Sequence, residues 1–408
     1  MRSATLPAPS ARPTSPLRGA RAPALDGLRG VLVLAVIAYH LWSTGDGWHV
    51  DPGSVAVDGF FALSGYLITG LLIKEHDDRG RVSMPNFYRR RALRLLPALV
   101  FFLVVWLAVD LIFSNGQFLA TVPSAHGPGH PVPWMTGLEA VGAALFYVTN
   151  LMVIAPISHL WYSYSPISHL WTLAVEEQFY LLWAPALLLL LSLRRRSATL
   201  ITIGIALVAL LEPWAWTGSD FNRLYFGTDT RCAALFCGAA CAYIGAADGW
   251  RWLRRLWTPV LGLGVVAVLV WSSWAMRQES HDVNIWIIGL ELSSVAWALG
   301  VVYLVERPWG LMARFLASDL VVAVGQRSYA FYLWSYVMNT WLRDTGPWES
   351  VLVIGCTFAA AEVSYRLVEV PMLRRKSRIG QPKAVHVDRA EEPCPPVSPQ
   401  PARVLAAP

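Results

Sequence analysis

The sequence predicts an all-α polytopic membrane protein: about ten transmembrane helices plus one re-entrant or interfacial segment, with both termini cytoplasmic. Three observations predict it. The chain is 55% hydrophobic and only 15% charged, where a soluble chain carries about a quarter charged residues. Several apolar runs approach the roughly 20 residues that a helix needs to cross a bilayer core. Arginines gather in alternate loops, the asymmetry that orients membrane proteins. The net charge of +6 follows those loops, so it is no sign of a nucleic-acid partner.

Residues 1–22 are rich in Pro, Ser and Arg and have no apolar core before Ala24, which predicts a disordered basic segment rather than a cleavable signal. Apolar spans are predicted at about 24–43, 54–73, 95–113, 171–192, 198–217, 230–247, 256–276, 283–304, 320–341 and 349–369. Arg2 to Arg21, Lys74 to Arg94, Arg194 to Arg196, Arg251 to Arg255, Arg307 with Arg314, and Arg374 to Arg378 mark the inner side. The loop 115–135 holds no Lys or Arg, and span 171–192 ends inside at Arg194. The apolar piece 136–155 therefore lies between two outer points and cannot cross once. The membrane domain is expected over 23–376, and 377–408 is a polar, Pro-rich tail expected to be disordered. One repeat stands out: ISHLWYSYSP at 157–166 is followed by ISHLW at 167–171, and only the second copy, with His169, runs into TLAVEEQFY. Cys237 and Cys241, one helical turn apart in an apolar run, read as packing residues. There is no metal-ligand cluster, Gly-rich nucleotide loop or GxSxG elbow.

Charge stands where lipid would forbid it. Ionisable groups within a span cost roughly 2.5–3.5 kcal/mol each on insertion scales, so they tend to face a cavity and serve function. The first span holds Asp26, Arg29 and His40, the second Asp58. Arg29 and His40 are eleven residues apart, which puts them on one helix face with about 16 Å between them along the axis. That suits two ends of an elongated site. The run FYRRRALRLLPAL, with Arg91 and Arg94, either anchors the chain at headgroups or captures a phosphorylated cofactor through arginine forks. Glu176 and Glu177 fall inside the fourth span, where a buried Glu can orient a His or simply bond between helices. Asp58, Asp229, Arg231 and Ser335 are candidates for the substrate side; Asp229 and Arg231 either pair with each other or meet a substrate hydroxyl. Glu362 and Arg366 have the spacing of a simple helix pair.

Together the motifs resemble the acyltransferase-3 family of integral membrane O-acyltransferases. The pieces that carry the resemblance are LDGLRGVLVLAVIAYH, VDGFFALSGYLI, FYRRRALRLLPAL, HLWTLAVEEQFYLLWAP, GTDTRCAALFCGA, SYAFYLW and SYRLVEVP, in family order over about 23–376. The resemblance implies transfer of an acyl group, usually acetyl, from acyl-CoA to a hydroxyl. The acceptor would be a glycan, a lipid-linked sugar or a glycosylated small molecule such as a macrolide, and the enzyme would sit in the plasma membrane. It puts Arg29 and His40 on the family's Arg-x10-His motif, Glu176 on its intramembrane acidic position, and Arg91 and Arg94 on its basic stretch. Ser335 stands where many members have His, and Val370 where many have Arg or Lys. No SGNH-type domain is expected in the tail.

The mechanism expected from this makes His40 a general base or a transient acyl carrier, with Arg29, Arg91 and Arg94 on the donor and Glu176 assisting. No metal is called for. The competing reading is a proton-coupled transporter, for which intramembrane His, Glu and Arg are equally natural. No paired inverted half-repeats support it.

Overall fold

The computed structural model describes residues 23–42, 50–113, 134–154, 167–247, 249–250, 258–278, 282–342, 346, 348–376 and 379. The N-terminal segment 1–22, the loop holding His126 and His130, the first ISHLW copy and nearly all of the tail lie outside the described residues. The elements, in order, are α1 (Pro23–Trp42), α2 (Pro52–Arg79), α3 (Met84–Phe113), α4 (Trp134–Leu145), α5 (Thr149–Ile154), α6 (Trp171–Leu191), α7 (Arg195–Leu211), α8 (Phe221–Phe226), α9 (Thr228–Arg231), α10 (Ala233–Ala246), α11 (Pro259–Ala275), α12 (Val283–Glu306), α13 (Leu311–Leu316), α14 (Asp319–Gln326), α15 (Ser328–Trp341), α16 (Glu349–Ser364) and α17 (Val370–Lys376). No strand occurs among the described residues. The protein is an all-α polytopic membrane protein. Among the described residues, seven helical stretches are long and apolar enough to cross, and shorter apolar helices stand at α10 and α11.

Helix α2 is the hub. Asp51 caps it, its Oδ1 accepting from Ser54 N at 2.8 Å, and Pro52 opens the first turn, where its missing N–H costs nothing. Gly80, at φ 67°, ends it in the left-handed conformation. Between these ends α2 packs on α1, α6, α10 and α12. Backbones touch where glycine permits. A Cβ on Gly65 would stand 1.9 Å from the Leu235 carbonyl oxygen, and one on Gly238 would stand 2.0 Å from that of Ala62. The α1–α14 crossing repeats the device with Gly30 and Gly325. Without a hydrophobic drive between helices in lipid, such close backbone packing supplies association. The outward faces carry exposed Leu182, Leu189, Leu200 and Val260, apolar side chains suited to lipid.

Two predicted segments are broken. The piece 136–155 divides into α4 and α5, of 12 and 6 residues. At 1.5 Å per residue neither approaches the ~30 Å hydrocarbon core, so this segment makes no single crossing. Tyr147 turns the corner at φ 55°, the one positive-φ non-glycine among the described residues. Its strain is held from α6, where Gln178 Nε2 donates to Tyr147 O at 2.7 Å and to Asn150 Oδ1 at 2.9 Å. The predicted span 320–341 is also not one helix. It breaks at Arg327, which donates to Glu362 Oε2 at 2.5 Å and to Ala323 O at 3.0 Å. A guanidinium paired with α16 sets the joint between α14 and α15.

The α2–α10 contact yields a first expected outcome. Gly238→Ala forces a methyl into the Ala62 carbonyl, so the helices must separate, at a cost of about 1–3 kcal/mol. Thermal unfolding in detergent measures it, with Gly355→Ala as control because nothing lies within 4 Å of a Cβ there. Equal midpoints for the two variants would show that the crossing tolerates separation.

Candidate active site

Two separate polar compartments lie along the helices, and α1 lines one of them. At its C-terminal end His40 lines a cavity of about 190 Å³ with Tyr39, His169, Thr172, Tyr225, Tyr332 and Tyr336 among its walls. The Tyr336 ring stands edge-on to His40, centroids 4.9 Å apart, and Asn339 Nδ2 donates to His40 O at 3.1 Å. The His40 Nδ1 atom is buried and has no hydrogen-bond partner among the described residues. The walls are fixed by hydroxyl bonds. Tyr332 shares a 2.8 Å hydrogen bond with Thr172 and donates to His169 O at 2.5 Å. Tyr225 shares a 2.9 Å bond with Ser54, whose Oγ donates to the capping carboxylate of Asp51 at 2.6 Å.

A second cavity, of about 330 Å³, is lined by Lys74, Arg79, Arg90, Arg91, Arg94 and Lys376, with Glu75 and Asp78. Several of these cations are already paired: Lys74 with Asp78 at 3.7 Å, Arg90 with Glu75 at 3.0 Å, and Arg91 with Glu177. Arg94 has no hydrogen-bond or ion-pair partner among the described residues. It lies within electrostatic range of Arg29, Arg91 and Glu176. Arg29 itself pairs with Asp26 at 3.6 Å. Like charges gathered this closely leave a strong field for a polyanion, and a guanidinium fork matches phosphate oxygens.

Glu176 sits between the compartments. Its Oε1 accepts from Ser64 and from Tyr180, each at 2.5 Å, with Arg91 at 3.6 Å. The Arg91 guanidinium lies 3.3 Å over the Tyr180 ring. On α6 the residues that line the His40 cavity are Trp171 and Thr172, about one turn before Glu176, which is grouped with the arginine and not with the imidazole.

The other candidates on the substrate side are arranged differently. Asp229 and Arg231 do not pair with each other. Asp229 takes a bidentate contact from Arg223, at 2.8 and 2.5 Å, whereas Arg231 meets Asp58 at 3.0 Å with neither side chain exposed. The reason is the turn at Thr228–Arg231, which sends Asp229 toward Arg223 and Arg231 inward toward α2. Arg231 also faces the Trp171 and Tyr225 rings at 5.5 and 5.4 Å, so the ion pair lies directly behind two walls of the His40 cavity. Ser335 is buried on α15 and does not line that cavity; its neighbours Tyr332 and Tyr336 do. Tyr336, Thr172 and Tyr225 were not singled out from the sequence. The i, i+4 spacing of Tyr332 and Tyr336 is the signal that marks a shared face. Lys376 read only as a topology marker, although the fold returns it to α3.

An imidazole-lined cavity and a separate cluster of cations within apolar helices define a polytopic membrane protein with two polar sites. Residues 23–366 match the acyltransferase-3 family, described as an acyltransferase domain, and the chain belongs to that family. It is 31% identical to peptidoglycan O-acetyltransferase OatA of Listeria monocytogenes, over 86% of this chain and 55% of that protein. It is 30% identical to O-acetyltransferase OatA of Staphylococcus aureus, over 86% and 57%. The chain thus spans little more than half the length of these relatives. No solved structure matches it.

The buried ion pair carries a second expected outcome. Asp58→Ala leaves the Arg231 charge buried and uncompensated, which costs about 3–5 kcal/mol, whereas Asp58→Leu with Arg231→Met recovers much of that loss. Urea or thermal unfolding of the three proteins in detergent checks it. A single variant as stable as the parent would remove the pair from the framework.

Proposed function

We propose that this chain transfers an acyl group, acetyl by analogy with its relatives, from acyl-CoA at the inner face to a hydroxyl of a carbohydrate acceptor at the outer face. The single observation that supports this reading best is that α1 carries His40 on the imidazole cavity and, ~16 Å back along the helix, Arg29 within electrostatic range of Arg94 on the wall of the basic cavity. A pantetheine arm is long enough for that distance. The donor phosphates rest against Arg94, Lys376 and Lys74, with Arg29 behind them, and Arg91 holds the wall through Glu177 and Tyr180. Glu176 keeps that arginine oriented. His40, whose Nδ1 is buried in the imidazole cavity, serves as general base toward the acceptor hydroxyl or as acyl carrier. Both termini lie in the cytoplasm and the membrane is the plasma membrane.

The acceptor is a glycan in this reading, as the name of the Listeria relative says of that protein. The aromatic lining from Tyr39, Tyr225 and Tyr336 suits a sugar, which presents one apolar face and a rim of hydroxyls. Lipid-linked sugars and glycosylated macrolides offer the same chemistry.

The arginines separate binding from architecture. Arg94→Ala removes a cation that makes no direct hydrogen bond or ion pair among the described residues, so acyl-CoA affinity in detergent falls by about 1.5–3 kcal/mol, roughly 10- to 150-fold. Arg91→Ala strands Glu177 and lowers the midpoint as well. Unchanged affinity in both variants would reduce the run to a membrane anchor.

His40→Ala is expected to insert, to bind acyl-CoA normally and to lose acyl transfer by at least 10²- to 10⁴-fold. Membranes with and without the variant are assayed with labelled acetyl-CoA, followed by mass spectrometry of extracted glycans. Near-parental transfer by folded His40→Ala overturns this mechanism. Solute uptake by vesicles with no acyl transfer overturns the function.

A further inference from the structure

The His40 cavity holds a second imidazole. His169 comes from the second ISHLW copy, on a 3-10 turn, Ser168–Leu170, that leads directly into α6. It is buried and lines the same cavity as His40. The Tyr336 ring touches both, its centroid 4.9 Å from that of His40 and 5.2 Å from that of His169. The His169 ring is further set by Tyr332 at 5.2 Å and Phe102 at 6.1 Å, and its backbone carbonyl accepts from the Tyr332 hydroxyl. Its position is thus defined from α3, α6 and α15 together.

Two imidazoles on one cavity can do what one cannot. When a ring nitrogen carries an acyl group, that ring is no longer available to deprotonate the incoming hydroxyl, and a second base is required. We propose that His40 and His169 divide the reaction: His40 is the acyl carrier and His169 is the catalytic base that deprotonates the acceptor. This rests on the acyl-transfer reading above and assigns the base within it.

In the first half a neutral His40 nitrogen attacks the thioester carbonyl. A C–N bond forms, the C–S bond breaks, and the proton released from the other ring nitrogen ends on the departing CoA sulfur. In the second half the acceptor oxygen attacks the acyl carbon while its proton passes to His169. The C–N bond breaks, and the His169 proton returns to the freed His40 ring. The sum is acyl-CoA plus hydroxyl giving ester plus CoA thiol, with both histidines restored. The basic cavity holds the donor during the first half only, so CoA is free to leave before the acceptor reacts.

The test needs no identified acceptor, because water can take its place. Purified full-length protein in detergent is mixed with acetyl-CoA labelled in the acetyl group, and CoA thiol, free acetate and protein-bound label are followed together. The parent protein is expected to give a rapid burst of CoA thiol stoichiometric with protein, then slow release of acetate. His169→Asn should keep acetyl-CoA affinity and the burst, retain the label on the protein, and slow acetate release at least 100-fold. His40→Ala should give neither burst nor label. A merely structural His169 would shift burst and steady phase alike. His169→Gln provides a second variant if the first does not fold. Parental acetate release by either folded His169 variant overturns the assignment, as does a parent that releases no CoA until an acceptor is added. A parent that neither binds nor cleaves acetyl-CoA would instead remove the acyl-transfer reading beneath it.

Discussion

Asp58 and Arg231 meet with neither side chain exposed, and much of the half of the molecule that holds His40 depends on that contact. A lone charge in a bilayer interior is unaffordable, so each group requires the other. The pair ties α2 to the turn before α10, next to the Gly65–Gly238 crossing where the two helices touch backbone to backbone. Arg231 then faces Trp171 and Tyr225, which are walls of the His40 cavity. Charge pairing, close packing and site shape are thus one arrangement.

The same rule shapes the half that holds the basic cavity, with a different outcome. Arg91 is neutralised by Glu177 and Glu176 and covered by Tyr180, whereas Arg94 beside it keeps its guanidinium uncommitted. One arginine builds the wall and the next faces the cavity. Between the two cavities α6 carries Thr172, Glu176 and Tyr180 at i, i+4 spacing, a polar stripe from the imidazole side to the arginine side. A donor entering from one side and an acceptor from the other would meet along this stripe, with no need for either to cross the membrane.

Much of the fold was legible from composition and period alone. Lipid demands long apolar helices, and loop charge orients them, so the span positions and the broken segment 136–155 followed from the chain. The break in the ninth span was not legible, because Arg327 acquires its meaning from Glu362 on another helix. The site was legible in part. Arg29 and His40 lie on one helix, and an eleven-residue spacing fixes their relation whatever surrounds them. Asp229 and Arg231 lie two residues apart in the chain, yet their partners are Arg223 and Asp58. Adjacency in sequence says little about pairing when a short turn aims two side chains apart.

What the sequence by itself determined is the set of groups the membrane must accommodate: an imidazole, two glutamates and a run of arginines within apolar helices, at depths set by helical rise. What only the tertiary structure decided is which of them face each other. It placed Glu176 with Arg91, His169 and His40 both against Tyr336, and Lys376 beside Arg94. The physical reason is that rise and period act along one helix, whereas a cavity is made by several. The rotation of each helix about its own axis is set by packing against its neighbours, and that information is distributed over the whole chain.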